Sequence, residues 1–231
     1  MLKYQQVAND IENYIYDNDL SQGTKLPTVE TLASDFSVSK STIVKALELL
    51  VTRGMVYQVQ GSGIFVRRKN RKGYVNFSTV PGFTNNFKGS KVTSKVLEFN
   101  LINATKEIAE LLECNECDEV YMVKRLRYLD DVIFCIEEAY YKKSIVPYLT
   151  KDIVECSIYE YLEKALNLNF AFSDIYMIIE KLNSKSASLL GLNPGDPALI
   201  VDEQVYLTSG VLFNASKVTY HYENSKFFFQ S

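Results

Sequence analysis

Apolar positions in the first third of the chain recur at two spacings, and the change of spacing marks the elements. From Tyr4 to Asn18, Val7, Ile11, Tyr14 and Ile15 fall three or four apart, predicting an amphipathic helix with those residues on its packed face. Leu32, Ala33 and Phe36 repeat that spacing in a short helix from Val29 to Phe36. Ile43, Ala46, Leu47 and Leu50 do so in a second, from Lys40 to Arg53. Thr28 and Ser39 precede these two helices with hydroxyls suited to N-capping. Gly54 stands where a helix closes in a left-handed residue. The spacing then falls to two: Met55 to Gln60 reads as a strand, Gly61-Ser62-Gly63 as a turn, and Ile64 to Val66 as the returning strand.

Helix, tight turn, helix and glycine-tipped hairpin compose a winged helix-turn-helix, which lays its second helix in the major groove of DNA. Lys40, Ser41, Val44 and Lys45 are left facing outward at the start of that helix. The candidate DNA contacts are Lys40, Ser41, Thr42 and Lys45 on the second helix and Thr28 before the first. Gln60, Gly61, Ser62 and Gly63 join them at the wing tip. A mini-core of two helices and a hairpin with no nucleic-acid role is the competing reading.

Beyond Gly73 the periodicity changes again, and a second domain is expected. Val92 to Leu101 alternates as a strand, and Thr105 caps a short helix from Lys106 to Glu113. Two strands, Glu119 to Leu129 and Val132 to Tyr141, meet at Asp130-Asp131. Ser157 to Leu166 is predicted as a helix with Ile158, Tyr161, Leu162 and Ala165 inward. A strand from Ala171 to Leu182, a helix from Ser184 to Leu190 ended by Gly191, and strands Ala198 to Leu207 and Val211 to Tyr222 complete it. The order βαββαβαββ is an α+β fold with a mainly antiparallel sheet. The expected domains are a DNA-binding unit over 1–67, a linker over 68–80 and a ligand unit over 81–231.

Charge sharpens this division. The 231 residues carry a net charge of −3, but residues 1–72 hold 10 Lys/Arg against 7 Asp/Glu, while the remainder is acidic. A basic head on an acidic body suits a molecule of which only one end meets phosphate. Five of the six residues from Arg67 to Lys72 are cationic, an exposed tether that either touches phosphates or is merely soluble. No apolar run reaches the ~20 residues of a membrane span, and Met1-Leu2-Lys3-Tyr4 opens no signal peptide. Four scattered cysteines suit a reducing cytoplasm. Cys114 and Cys117 form a CxxC, yet no second pair exists and His221 is the sole histidine, so neither metal nor cofactor is expected.

Candidate ligand chemistry lies in the second domain. Arg125 and Arg127, two apart in a strand, share a face and repel each other unless an anion lies between them. Glu137 on the partner strand falls on the opposite face if Asp130-Asp131 is a plain two-residue turn, and beside Arg125 if a bulge or longer turn intervenes. Ser157 opens a helix, where N–H groups and a hydroxyl favour an anion, with Tyr159 two residues on. The alternative is a solvated charge ladder on an exposed face, with Ser157 a simple cap.

The run from Leu26 to Val66 resembles the winged helix-turn-helix of GntR-type bacterial transcription regulators. The matching positions are Leu26-Pro27, Leu32-Ala33, Val38-Ser39, Thr42, Ala46-Leu47, Gly54 and Gly61-x-Gly63-x-Phe65-Val66. Glu30 and Val44 depart from it, standing where such proteins commonly place arginine, so the operator sequence does not transfer. Residues from about Val75 onward resemble the effector-binding domain of the HutC branch, whose fold is similar to chorismate lyase. Pro81 to Thr84, Lys124 to Arg127, Ile136-Glu137, Ser157 to Tyr159, Leu190 to Leu192 and Phe213 to Tyr220 carry that likeness. The resemblance implies that Phe83, Thr84, Asn85, Arg125, Arg127, Ser157 and Tyr159 hold the anionic end of an effector, with Glu137 and Tyr220 on its hydroxyls. Asn214 stands where an acidic residue is usual, which unsettles the effector's identity.

These readings imply a homodimeric regulator, most simply a repressor, that leaves a palindromic operator on binding a small anionic metabolite such as a phosphorylated sugar. Two other readings stand beside it. A non-sugar carboxylate or phosphonate could be the effector, or the second domain could be an enzyme, although no nucleophile–base pair is evident.

Overall fold

The computed structural model describes residues 2–67, 73–77, 87 and 90–229. Two compact units result, one comprising Met1–Lys72, Asn76–Thr79 and Phe228–Ser231, the other Gly73–Val75 and Val80–Phe227. Of the expected linker 68–80, only residues 73–77 are among the described residues.

In the first unit, α1 (Lys3–Asp17), α2 (Val29–Asp35) and α3 (Lys40–Thr52) precede the hairpin β1 (Val56–Val59) and β2 (Gly63–Val66). Both predicted caps form: Thr28 Oγ1 accepts from the Thr31 N–H and Ser39 Oγ from the Thr42 N–H, each at 3.2 Å. Each bond satisfies one of the helix's orphan donors. Val7, Ala8, Ile11 and Ile15 of α1 join Leu32, Ile43, Ala46, Leu47, Leu50, Val56, Ile64 and Val66 in one core. Tyr14, expected on the packed face of α1, is instead 47% exposed. Ala8 takes the inward place, because three- and four-residue steps from Ile11 and Ile15 run through 7 and 8. Arg53, at the end of α3, is tied to α1 by bonds from Nη1 to Asn9 Oδ1 (2.8 Å) and Glu12 Oε2 (2.9 Å).

The second unit is a six-stranded antiparallel sheet. Its strands are β4 (Val92–Asn103), β5 (Glu119–Leu129), β6 (Val132–Lys142), β7 (Phe170–Lys181), β8 (Pro197–Leu207) and β9 (Leu212–His221), in the spatial order β4-β5-β6-β9-β8-β7. Directly opposed residues share a face, so the register sorts every side chain. One face carries Val120, Leu126, Ile136, Ala198 and Ala215 and is covered by α4 (Lys106–Leu112) and α7 (Ser184–Leu190). The other carries Tyr121, Val123, Ala139, Tyr141 and Val205 at one end, beneath α5 (Lys151–Glu155) and α6 (Ile158–Lys164).

Several expectations are corrected here. The helix α5, capped by Thr150, is an addition that the spacing of apolar residues did not announce, since five residues are too few to show a period. Ala165 is exposed rather than inward, because α6 ends at Lys164 and Leu166 packs instead. A two-stranded ribbon of β3 (Val75–Asn76) and β10 (Phe227–Phe228) also went unread, Val75 N–H donating to the Lys226 carbonyl at 2.8 Å.

The β5–β6 hairpin decides what the other end of the second face contains. Asp130 and Asp131, at φ +50° and +65°, make the two-residue turn, with Leu129 opposite Val132. Positive φ at both central positions is the turn type whose twist suits a hairpin. A bulge between Arg127 and Tyr128 then inserts Phe134, so Arg127 opposes Cys135 and Arg125 opposes Glu137. Turn and bulge occur together, and the bulge reverses the face on which Glu137 would otherwise lie.

Candidate functional site: a DNA-reading head and a charged sheet face

On the first unit, Ser41, Val44 and Lys45 form an exposed strip of α3 on the side away from Ile43, Ala46, Leu47 and Leu50. Thr42 is half-buried, and its hydroxyl lies 2.8 Å from Ser39 Oγ, so it stiffens the cap as well as lying beside the strip. Lys40 reaches back to Glu30, Nζ to Oε1 at 2.8 Å, with both side chains well exposed. Hydrogen bonding from Lys40 holds the Glu30 carboxyl below its usual range. A phosphate must therefore compete with Glu30 for this lysine, although exposed pairs are weak. At the wing, Gln60, Gly61 and Ser62 are exposed, and Tyr57 stacks on Phe65 with ring centroids 5.6 Å apart. Gly63 sits at φ +118°, a conformation that side chains resist.

On the second unit, Arg125, Arg127, Glu137, Asn214 and Tyr220 all lie on the face shared with α5 and α6. Register pairs Glu137 with Arg125 and Val218, Cys135 with Arg127 and Tyr220, and Tyr141 with Asn214. The charge ladder read as solvated is in fact buried: Arg125 and Arg127 are each 2% exposed. The anion between them is Glu137. Arg125 Nε (3.0 Å) and Nη2 (2.7 Å) and Arg127 Nη1 (2.9 Å) all donate to its Oε2, and Arg125 Nη2 also to Oε1 at 2.9 Å. Burial by itself pushes the Glu137 carboxyl up; the charges of Arg125 and Arg127 outweigh that and hold it below the ordinary range. Among the described residues, these two cations share one carboxylate in a desolvated place.

Arg125 does a second thing. Its Nη1 donates to the carbonyl oxygens of Val154 (2.8 Å) and Cys156 (3.2 Å), which fixes the connection from α5 to α6. With these and the Glu137 bonds, each of its three nitrogens donates to a protein acceptor. Ser157, next in the chain, caps α6 by accepting from the Glu160 N–H at 3.4 Å. Tyr159 packs against Phe170 (5.1 Å) and Phe213 (6.4 Å), and its hydroxyl donates to Asn214 Oδ1 at 3.0 Å. Asn214 in turn donates to the Tyr140 carbonyl at 2.9 Å. Tyr220 is buried in edge contact with Phe134 (5.9 Å) and Phe227 (4.9 Å). The expected contacts Phe83, Thr84 and Asn85 lie outside the described residues. Phe87 is described and packs on Phe134 at 5.2 Å.

One acidic residue on this face escaped sequence reasoning. Glu203 opposes Ser216 on β9 and Ile175 on β7. The signal was available: within Ala198 to Leu207, every second residue from Leu199 is apolar except Glu203. Cys114 and Cys117 are free thiols elsewhere, and burial pushes the Cys114 thiol up. Among the described residues, no helix is long and apolar enough to cross a membrane.

A winged helix-turn-helix followed by a ligand domain of this topology defines a class of effector-responsive DNA-binding regulators. Residues 3–66 match the model of the bacterial regulatory proteins of the gntR family, and residues 88–225 that of the UTRA domain. The chain therefore belongs to the GntR family of transcription regulators, in the HutC branch that joins the DNA-binding head to a UTRA effector domain. It is 46% identical over 231 residues to the uncharacterized HTH-type transcriptional regulator YydK of Bacillus subtilis (strain 168), covering 100% of this chain and 98% of that one. The crystal structure of YydK superimposes with a TM-score of 0.84 over 100% of both chains. The HTH-type transcriptional repressor NagR of Bacillus subtilis (strain 168) is 25% identical, over 94% of this chain and 89% of its own. The mannosyl-D-glycerate transport/metabolism system repressor MngR of Escherichia coli (strain K12) is 29% identical, over 97% and 93%. The chain thus binds DNA through its head and an effector through its UTRA domain.

Three predictions follow from this geometry. Glu137→Gln leaves two buried guanidinium groups without their counter-charge and is expected to cost about 3–5 kcal/mol at neutral pH in urea denaturation. Because the folded-state carboxyl is depressed, its stabilisation is present above the ordinary carboxylate range and is lost as pH falls through the depressed value. The gap between wild type and variant should therefore narrow as pH falls below the ordinary carboxylate range, and a constant gap would contradict the assignment. On the head, Lys45→Ala should weaken operator binding and flatten its salt dependence by about one unit of slope in gel-shift titrations. Gly63→Val should weaken binding through the wing, since a Cβ there meets Lys25 Cε at 2.9 Å and the backbone resists it.

Proposed function

We propose that this regulator is a repressor, that it acts as a homodimer on a palindromic operator, and that a small anionic metabolite releases it. A phosphorylated sugar is the simplest such effector. The observation that carries this reading is the pair of guanidinium groups sharing a single carboxylate on a buried sheet face. An arriving anion can join or replace Glu137 as acceptor for these guanidinium groups, and charge-assisted bonds are strong where water is largely excluded. Glu137, Asn214 and Tyr220, on the same face, offer the mixed donors and acceptors that a polyol requires. The relative MngR, named for a mannosyl-D-glycerate system, favours a sugar that carries an acid.

The dimer follows from the operator: a two-fold molecule reads two half-sites with one helix each. Its support on the second unit is the sheet edge. β7 is an outer strand of twelve residues, and it leaves Tyr176 62% and Ile179 76% exposed. An apolar open edge of that length is a template for another strand, and a second copy of the same edge satisfies it. Release then requires the effector to favour an arrangement whose two heads no longer fit the half-site spacing. Operator DNA must weaken effector binding by the same factor.

A thermal-shift panel of sugar phosphates, unphosphorylated sugars, carboxylic acids and phosphonates tests the ligand class. A sugar phosphate at a hundred times its Kd should stabilise the protein by about 2.7 kcal/mol and should release labelled operator in the same concentration range. Response only to simple acids or phosphonates would reassign the effector, and response to none would overturn the reading. For the dimer, Ile179→Lys should yield monomers by light scattering, with native circular dichroism and reduced operator affinity. A variant that stays dimeric would place the interface elsewhere.

A further inference from the structure

Glu203 occupies a position on the sheet that the proposed anion site leaves unused. The rows of side chains running across the strands place it relative to the guanidinium pair. One row reads Arg125, Glu137, Val218 and Val201 across β5, β6, β9 and β8; the next reads Val123, Ala139, Ser216 and Glu203. Glu203 thus stands one row nearer α6 than Arg125 and two strands beyond Glu137, a separation on the order of 10 Å. Between them on β9 lie Val218 and Ser216, and Tyr141, Tyr159 and Tyr220 stand near enough to Glu203 to feel its charge. The sheet face thus carries cations on β5 and a carboxyl on β8, with hydroxyl-bearing side chains around the latter.

Glu203 keeps partial access to solvent, so a small molecule can reach it. Its neighbours along the strand, Val201 and Val205, are buried, so the carboxyl sits in an apolar row where leucine or valine would pack better. Burial, together with the charge of Glu137, pushes its carboxyl up, against the pull of Ser173 on β7.

The geometry points to Glu203 as the residue that takes the hydroxyl groups of the effector's sugar while Arg127 and its neighbours take the anionic group. A carboxyl has two oxygens and can accept from two adjacent hydroxyls of a pyranose, which an inorganic anion lacks. Glu203 would thus set the preference for a polyhydroxylated anion over a bare one. This rests on the anionic-sugar reading above and adds to it the residue that recognises the sugar.

The test uses the full-length protein, wild type and Glu203→Gln, with a panel of hexose 6-phosphates and inorganic phosphate as probes in isothermal titration. Wild type should bind at least one hexose phosphate more tightly than inorganic phosphate. The variant should lose about ten-fold or more of that affinity while binding inorganic phosphate as before. Its melting temperature without ligand should be unchanged or higher, as expected when a carboxyl leaves an apolar row. Retained discrimination in the variant overturns this role for Glu203 while leaving the anionic-sugar reading intact. Equal losses for hexose phosphate and inorganic phosphate also overturn it, since the residue would then serve the site as a whole. Failure of wild type to bind any of the probes overturns both.

Discussion

Two guanidinium groups held against one carboxylate are the constraint around which the effector domain is built. Taken separately, Arg125, Arg127 and Glu137 would each be costly to bury; together they satisfy one another. That arrangement sets the face apart from an ordinary apolar core. It exists only because Phe134 bulges out of β6 and carries Glu137 to the side on which the arginines lie. A regular hairpin would have placed Ile136 opposite Arg125 and left two buried cations facing each other.

The same interaction organises what surrounds it. Through the Val154 and Cys156 carbonyls, Arg125 holds the α5–α6 connection, and with it the start of the helix that carries Ser157 and Tyr159. Tyr159 closes on Asn214, so the helix is fastened to the sheet at both positions. An anion that draws on Arg125 competes with these bonds. A binding event confined to the sheet would then be felt in the covering helices, a local rearrangement of the kind that shifts a two-state equilibrium.

The DNA-reading head follows a different economy. Its functional surface is the by-product of a small core: once Ile43, Ala46, Leu47 and Leu50 are buried, Ser41, Val44 and Lys45 have nowhere to go but outward. Thr28 and Ser39 fix where the two helices begin, and so which residues lie at the tip. Glu30 engages Lys40, so part of the positive charge at the start of α3 is matched internally.

Local physics was enough to read the head from residues alone. Caps, helical spacing, a left-handed glycine and a glycine-tipped turn act over three or four residues, and each appeared where expected. Tyr14 missed because helical phase drifts, and α5 was missed because one turn has no period. The strands of the second unit were equally legible, and so was the shared face of Arg125 and Arg127, since alternation is local. What spacing could not decide was the side on which Glu137 lies, whether the arginines are wet or dry, and that Glu203 joins them from two strands away. Those depend on one inserted residue in a hairpin and on which helices cover the sheet. Register and burial are set by contacts between residues far apart in the chain, and only the folded structure brings those contacts into being.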